Sequence, residues 1–250
     1  RYGVDVAGRR WDIAVATNRD HNSLHLFLID PASGKVQEAG QIATGMKDIY
    51  GICLYQDNQR LYAFANDKSG VIEQWQLLGG DSITGKRVRE LKVASQPEGC
   101  VADEQQQRLF VGEEDRAVWV FAAGADQPVT ATEVKAAGEV LVDDIEGLAL
   151  YQTDDRNWLV VSSQGDNSYV ILEADSPYAV VGKFRIGMNA QAGIDGASET
   201  DGLDVTSVDL GGDYERGLLV VQDGRNRLPD APQNYKIVAW KDVEALLEKP

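Results

Sequence analysis

Histidine and cysteine are nearly absent: His21, His25, Cys53 and Cys100 are the only ones in 250 residues. A Cys/His zinc site of the usual ligand spacing is therefore excluded. Both cysteines stand in apolar runs at matching positions of different repeats, and each is expected as a small buried hydrophobe, not as half of a disulfide. Positive charge is scarce too, with 24 Lys and Arg against 40 Asp and Glu and a formal net charge of −16. Such a field repels nucleic acid and anionic lipid, so neither is expected as a partner, and a polyanion would need a cation between it and the protein. No apolar run reaches the roughly 18 residues of a membrane span, and no basic stretch followed by an apolar core opens the chain. An opening at Arg1-Tyr2-Gly3 without Met reads as a processed or cut piece, compatible with earlier removal of a signal peptide. Helix signals are confined to residues 242–249, with acids in the first turn and Lys249 at the end.

What the chain does have is repetition. An acidic or aromatic residue followed by Gly and an apolar run occurs at Tyr50-Gly51, Glu98-Gly99, Glu146-Gly147 and Asp201-Gly202, at spacings of 48, 48 and 55. A second apolar strip follows each, as in Leu61-Tyr62-Ala63-Phe64-Ala65 and Trp158-Leu159-Val160-Val161. Third strips are aromatic or alternating, and fourth strips, such as Lys86-Arg87-Val88-Arg89, are more polar. An earlier copy around Trp11-Asp12-Ile13 lacks most of its first strip. Four short strands per unit of this length predict an all-β fold, a β-propeller of four-stranded blades with about four and a half to five blades present. Residues 1–250 are expected to form a single propeller domain, incomplete at its N-terminus, with the innermost strands buried on both faces and the outermost meeting water.

In such a blade the start of strand one and the end of strand two share a rim, and the sequence loads both places with oxygen. Starts carry Tyr50, Glu98, Asp144 with Glu146, and Asp201; ends carry Asn18-Arg19, Asn66-Asp67-Lys68, Glu113-Glu114-Asp115, Gln164-Gly165-Asp166 and Gln222-Asp223. Turn chemistry accounts for Asn, Asp and Gly at strand ends. It does not account for Glu98, Glu114 and Glu146, because glutamate is a poor turn former and a partly buried carboxylate calls for a compensating cation. The densest cluster, Asp195 to Asp204, reads on its own equally well as a solvated acidic loop; its recurrence along the chain favours a metal-binding rim. Oxygen ligands point to Ca²⁺ or Mg²⁺, and flexible clusters of many carboxylates to Ca²⁺. Arg19 and Lys68 on the same rim suit phosphate oxygens.

At these residues the chain resembles the bacterial β-propeller phytases, calcium-dependent phosphatases of myo-inositol hexakisphosphate. The pieces that carry the likeness are Tyr50-Gly51, Pro97-Glu98-Gly99, Glu113-Glu114-Asp115, Asp144-Ile145-Glu146-Gly147, Ser163-Gln164-Gly165, Asp201-Gly202-Leu203-Asp204 and Gln222-Asp223-Gly224. The resemblance implies a six-bladed propeller and a catalytic set of Arg19, Tyr50, Lys68 and Glu114, of which Arg19, Lys68 and Tyr50 bind substrate. It implies calcium held by Glu98, Glu114, Asp144, Glu146, Gln164, Asp195, Asp201 and Asp223. The implied chemistry is attack of a calcium-activated water on phosphorus, without a phosphoenzyme. Consistent with that, the chain has no Arg-His-Gly motif for a histidine nucleophile. Phytate or calcium-phytate is the implied substrate and a secreted or periplasmic protein the implied setting.

The family has further sequence before the part matched here. An alternative reading is accordingly a noncatalytic calcium- or phosphate-binding propeller domain of a larger or tandem phytase, its ring completed by another domain or subunit. A metal-dependent propeller lactonase is a weaker third reading, disfavoured by the scarcity of histidine.

Overall fold

The computed structural model describes residues 2–58 and 60–247. Runs rich in β-branched and aromatic residues, cut by Gly, Asn and Asp turns, fold into five sheets. The first holds β1 (Gly3–Val6), β2 (Arg9–Asn18), β3 (Ser23–Ile29) and β4 (Val36–Ala43), and the second holds β5 (Ile49–Asp57), β6 (Arg60–Asp67), β7 (Val71–Leu78) and β8 (Thr84–Lys92). The third holds β9 (Pro97–Asp103), β10 (Arg108–Glu113), β11 (Ala117–Ala122) and β12 (Thr132–Ala136), and the fourth β13 (Ile145–Gln152), β14 (Asn157–Ser163), β15 (Ser168–Glu173) and β16 (Val180–Phe184). The last holds β17 (Leu203–Thr206), β18 (Leu218–Asp223) and β19 (Asn234–Ala239), followed by the helix α1 (Trp240–Leu247). In every sheet the strands lie in chain order from one edge to the other. These are the blades of a β-propeller, the all-β class that the repeat predicts.

Five features depart from the sequence-based expectations. The earliest copy does have its first strand: β1 pairs with β2 through a two-residue turn in which Ala7 and Gly8 both take positive φ, 49° and 74°. A positive φ at alanine is uncommon, which is why the hairpin is hard to read from sequence. The helix starts at Trp240, two residues before the expected Asp242, because the indole is fully buried against the fourth and fifth sheets; the expected end at 248–249 lies outside the described residues. The last sheet shows three strands among the described residues, not four.

The fourth departure concerns burial. In the second and third sheets the second strand is more deeply buried than the first, with β6 covered from Leu61 to Asp67 and β10 from Leu109 to Glu113, whereas β5 and β9 are mostly half-buried. The first strand is an edge of its sheet, while the second has a neighbour on either side. Outer strands such as β4 are exposed as expected.

By its internal contacts the chain divides into two compact units, residues up to 113 with 120–132, and 114–119 with 133 onward. The first is built on Leu24, Leu26, Ile49, Ala63 and Ala65, all almost fully buried. The second centres on Val160, Tyr169, Ile171, Leu219 and Trp240, whose ring stacks on Tyr151 with centroids 4.2 Å apart.

The fifth departure is covalent: Cys53 and Cys100 form a disulfide, their Cα atoms 5.7 Å apart. Matching positions on β5 and β9 do approach, because the first strands of these consecutive blades pack side by side. The bond closes a loop over a sequence separation of 47 residues, which chain entropy values at about 4 kcal/mol. Thermal unfolding with and without reductant should therefore show a lower midpoint for the reduced protein and for a Cys53→Ser/Cys100→Ser variant. An unchanged midpoint would contradict that contribution.

Candidate metal and phosphate site

The rim residues are placed by a device that recurs along the chain. Within blades, register sets Ile49 opposite Asp67, Pro97 opposite Glu113 and Ile145 opposite Ser163, so strand-one starts do lie beside strand-two ends. Successive blades are then bridged by a side chain from the end of strand two. Thr17 Oγ1 donates to the Tyr50 carbonyl at 2.6 Å, Asn66 Nδ2 to the Glu98 carbonyl at 2.7 Å, and Ser162 Oγ to the Thr200 carbonyl at 2.8 Å. The glycine after each rim residue answers to the same approach. A β-carbon on Gly51 would lie 1.9 Å from the Glu98 oxygen, and one on Gly147 would lie 2.7 Å from the Asp201 oxygen.

In the first unit this geometry gathers Arg19, Tyr50 and Lys68. The Arg19 guanidinium carbon lies 4.9 Å from the centroid of the Tyr50 ring, and Lys68 Nζ lies 4.4 Å from it. Both distances are in the range of cation–π attraction. Among the described residues neither cation pairs with a carboxylate. Lys68 also lines a cleft of about 640 Å³ with Lys47, Ser69 and Arg87. The neighbouring carboxylates are held by the protein. Asp67 Oδ2 accepts the amides of Lys47 and Asp48 at 3.0 and 2.8 Å, and Oδ1 accepts that of Ser69 at 2.9 Å. Glu113, fully buried, takes the Ser95 amide and hydroxyl at 2.5 and 2.7 Å. Glu98 is half-buried at the start of β9, with its carbonyl on Asn66.

The second unit brings together Glu114, Asp144, Glu146, Gln164 and Asp201. Carboxylate oxygens of Glu114 and Glu146 lie within 4.8 Å of each other, and Glu146 is 5% exposed. The Glu114 carbonyl receives the Ile145 amide at 3.0 Å, the Asp144 carbonyl receives the Gln164 amide at 2.9 Å, and Gln164 Nε2 donates to Asp201 Oδ1 at 2.5 Å. Every donor in this group is a hard oxygen, which fits a hard cation and suits neither zinc nor copper. Beside it, Asp166 pairs with Lys183 at 2.8 Å and Arg185 at 3.1 Å.

Asp195 and Asp223 stand apart from that group. Each pairs with the ammonium of Lys236, at 2.8 and 2.9 Å. The Asp195 pKa is held below its ordinary range by Lys236 first and by the Arg227 amide second. For Lys236 burial works downward, but the two carboxylates outweigh it and the pKa is raised. Lys236 is not among the sequence-predicted site residues: on β19 it is buried between the exposed Tyr235 and Ile237, whereas an alternation with apolar residues at those two positions would place it on the outer face.

The whole chain, residues 1–250, matches the profile of the family described as Phytase. A 3-phytase of Bacillus subtilis (strain 168) is 37% identical over 257 residues, a match that spans 97% of this chain and 67% of that protein. Among solved structures, a functionally unknown protein from Desulfotomaculum acetoxidans DSM 771 is 18% identical with a TM-score of 0.48; the match spans 69% of this chain and 56% of that one.

Burial pushes the Asp67 pKa up, yet the hydrogen bonds from Ser69 and from the Asp48 and Lys47 amides prevail and leave it below the ordinary 3.8. A carboxyl lowered by folding contributes stability above its unfolded pKa and loses it as pH falls through the folded value. The same sign holds for Asp166 and Asp195. Melting temperature should therefore drop on acidification below that range. Asp67→Asn should cost about 1–3 kcal/mol at neutral pH and make the acid limb shallower. An acid limb as steep as the parent's would contradict this role for Asp67.

Proposed function

The chain belongs to the phytase family, and we propose that it hydrolyses phosphomonoesters of phytate in a calcium-dependent reaction. The observation that supports this reading most is the pairing of Arg19 and Lys68 on one aromatic ring, without carboxylate partners among the described residues, in a protein of net charge −16. Two cations with no carboxylate partner among the described residues of so acidic a chain are suited to an anion, and a phosphate ester is one that uses both a planar fork and a point charge.

In the second unit Glu114, Asp144, Glu146, Gln164 and Asp201 would hold calcium; Glu98, in the first, is proposed as a ligand from its place in the repeat. When bound, the metal supplies charge neutralisation at phosphate and a water of lowered pKa. The protein's own part is positioning. Tyr50 holds the heads of Arg19 and Lys68 in place before substrate arrives, so little reorganisation is needed as charge develops on the phosphoryl oxygens. Arg19 offers parallel N–H donors and Lys68 a mobile ammonium. The Gln164–Asp201 hydrogen bond and the Asp144 carbonyl fix the oxygen donors around Glu146. A secreted or periplasmic setting is proposed as well, supported by the Cys53–Cys100 disulfide, since such bonds persist in oxidising compartments.

Lys68→Ala and Arg19→Ala should each lower kcat/KM for phytate on the order of a hundredfold while leaving thermal unfolding nearly unchanged. Glu114→Gln should raise the calcium concentration needed for half-maximal phosphate release. Unaltered release by Lys68→Ala would remove the phosphate-binding role from this rim.

A further inference from the structure

Two of the eight calcium ligands implied by family resemblance, Asp195 and Asp223, already surround a cation that the chain provides. Lys236 projects from β19 and its side chain is only 7% exposed, against 11% for Asp195 and 0% for Asp223. An ammonium has three N–H bonds. Three oxygens lie within 2.9 Å of Nζ: Asp195 Oδ1 at 2.8 Å, Asp223 Oδ2 at 2.9 Å and Asn234 Oδ1 at 2.9 Å. A fourth, Asn226 Oδ1, is 3.5 Å away.

The outer oxygens of the two carboxylates are taken by backbone amides. Arg227 donates to Asp195 Oδ2 at 2.5 Å, and Ser198 and Arg225 donate to Asp223 Oδ1 at 3.0 and 3.3 Å. A calcium ion needs oxygens at about 2.3–2.6 Å on several sides. Here the space between the carboxylates holds an ammonium and their far sides face N–H groups, both of which repel a dication. The pair as arranged does not fit a metal.

The same contacts fasten the loop that leads to the proposed metal-binding residues. Past Asp195, the Ser198 carbonyl receives the Gly224 amide at 2.8 Å, and Glu199 pairs with Arg225 at 2.9 Å. Thr200, fully buried, meets Ser162 through its hydroxyl at 2.6 Å, and the Asp201 amide reaches Gln222 Oε1 at 3.0 Å. Asp201 in turn carries the hydrogen bond from Gln164. An unbroken set of protein contacts thus runs from Lys236 to Asp201 with no place in it reserved for a metal.

We propose that Lys236 is a built-in cation standing between Asp195 and Asp223 in the place of a metal, and that it sets the conformation of the 195–200 segment, which leads to Asp201, independently of divalent ions. Lys236 is a positioning residue: it acts on Asp201 and Gln164 through the loop and touches neither. The loop and the Glu114–Glu146 pair should then respond to chelation differently.

Amide hydrogen exchange resolved by peptide on the full 250-residue chain, in excess chelator and in excess calcium, tests this without reference to activity. Exchange across 195–200 and 223–227, short of the proposed calcium ligand Asp201, should be the same in both conditions. Lys236→Met leaves two buried carboxylates without their cation and should speed exchange there on the order of a hundredfold in chelator; Lys236→Arg should restore most of the protection. Excess calcium should slow exchange in these two segments of Lys236→Met while leaving the same segments of the parent chain unaffected, a response that a purely structural packing role would not give. Loss of protection across 195–200 or 223–227 in the parent chain on chelation would overturn the proposal, as would a Lys236→Met chain with unchanged exchange or one indifferent to calcium. If Lys236→Met does not fold, the parent chain's response to chelator decides alone.

Discussion

A carbonyl oxygen standing where a β-carbon would otherwise be is the constraint on which the rest of this molecule depends. The Glu98 oxygen closes on Gly51 and the Asp201 oxygen on Gly147, and in both places only hydrogen fits on the α-carbon. The residue before each glycine is thereby fixed at the start of a first strand, beside the end of a second. Thr17, Asn66 and Ser162 reinforce the approach with hydrogen bonds from one blade to the next. The repeat of a functional residue followed by glycine is thus a packing requirement and a site-building device together.

A chain this acidic must compensate its buried carboxylates, and it does so in distinct ways. Asp67 and Glu113 are satisfied by backbone amides and a serine hydroxyl. Asp195 and Asp223 share one lysine, Asp166 has a lysine and an arginine, and Glu244 on α1 is clasped by Arg156 and Arg216. Glu114 and Glu146 bring their oxygens within 4.8 Å of each other, and a metal is the compensation proposed for them. Arg19 and Lys68, in the first unit, are by contrast two cations without carboxylate partners among the described residues, and a phosphate is the partner proposed for them.

Much of this was legible in the sequence, and the parts that were not share a cause. The 48-residue period announced the blades, and the Gly-preceding residues announced the rim, because both are local patterns tied to strand geometry. The trio of Arg19, Tyr50 and Lys68 could be named in advance since strand order alone places them. The disulfide could not: Cys53 and Cys100 looked unrelated until the packing of β5 against β9 was known. Lys236 was hidden likewise, being one charge in an apolar strand whose partners lie 41 and 13 residues away in sequence. The β1–β2 hairpin escaped because Ala7 adopts a backbone conformation its side chain disfavours. In each case a contact between distant residues, or a strained turn, outweighed the local pattern.

Calcium-dependent phosphate release is the central claim, and its most direct measurement is inorganic phosphate liberated from phytate by this 250-residue chain, first with calcium and then with chelator in excess. The account predicts steady release with calcium and its loss with chelator, while circular dichroism shows the strands still folded. Equal release in both conditions would remove the metal from the reaction, and no release in either from a folded chain would contradict the assignment of the activity to these residues.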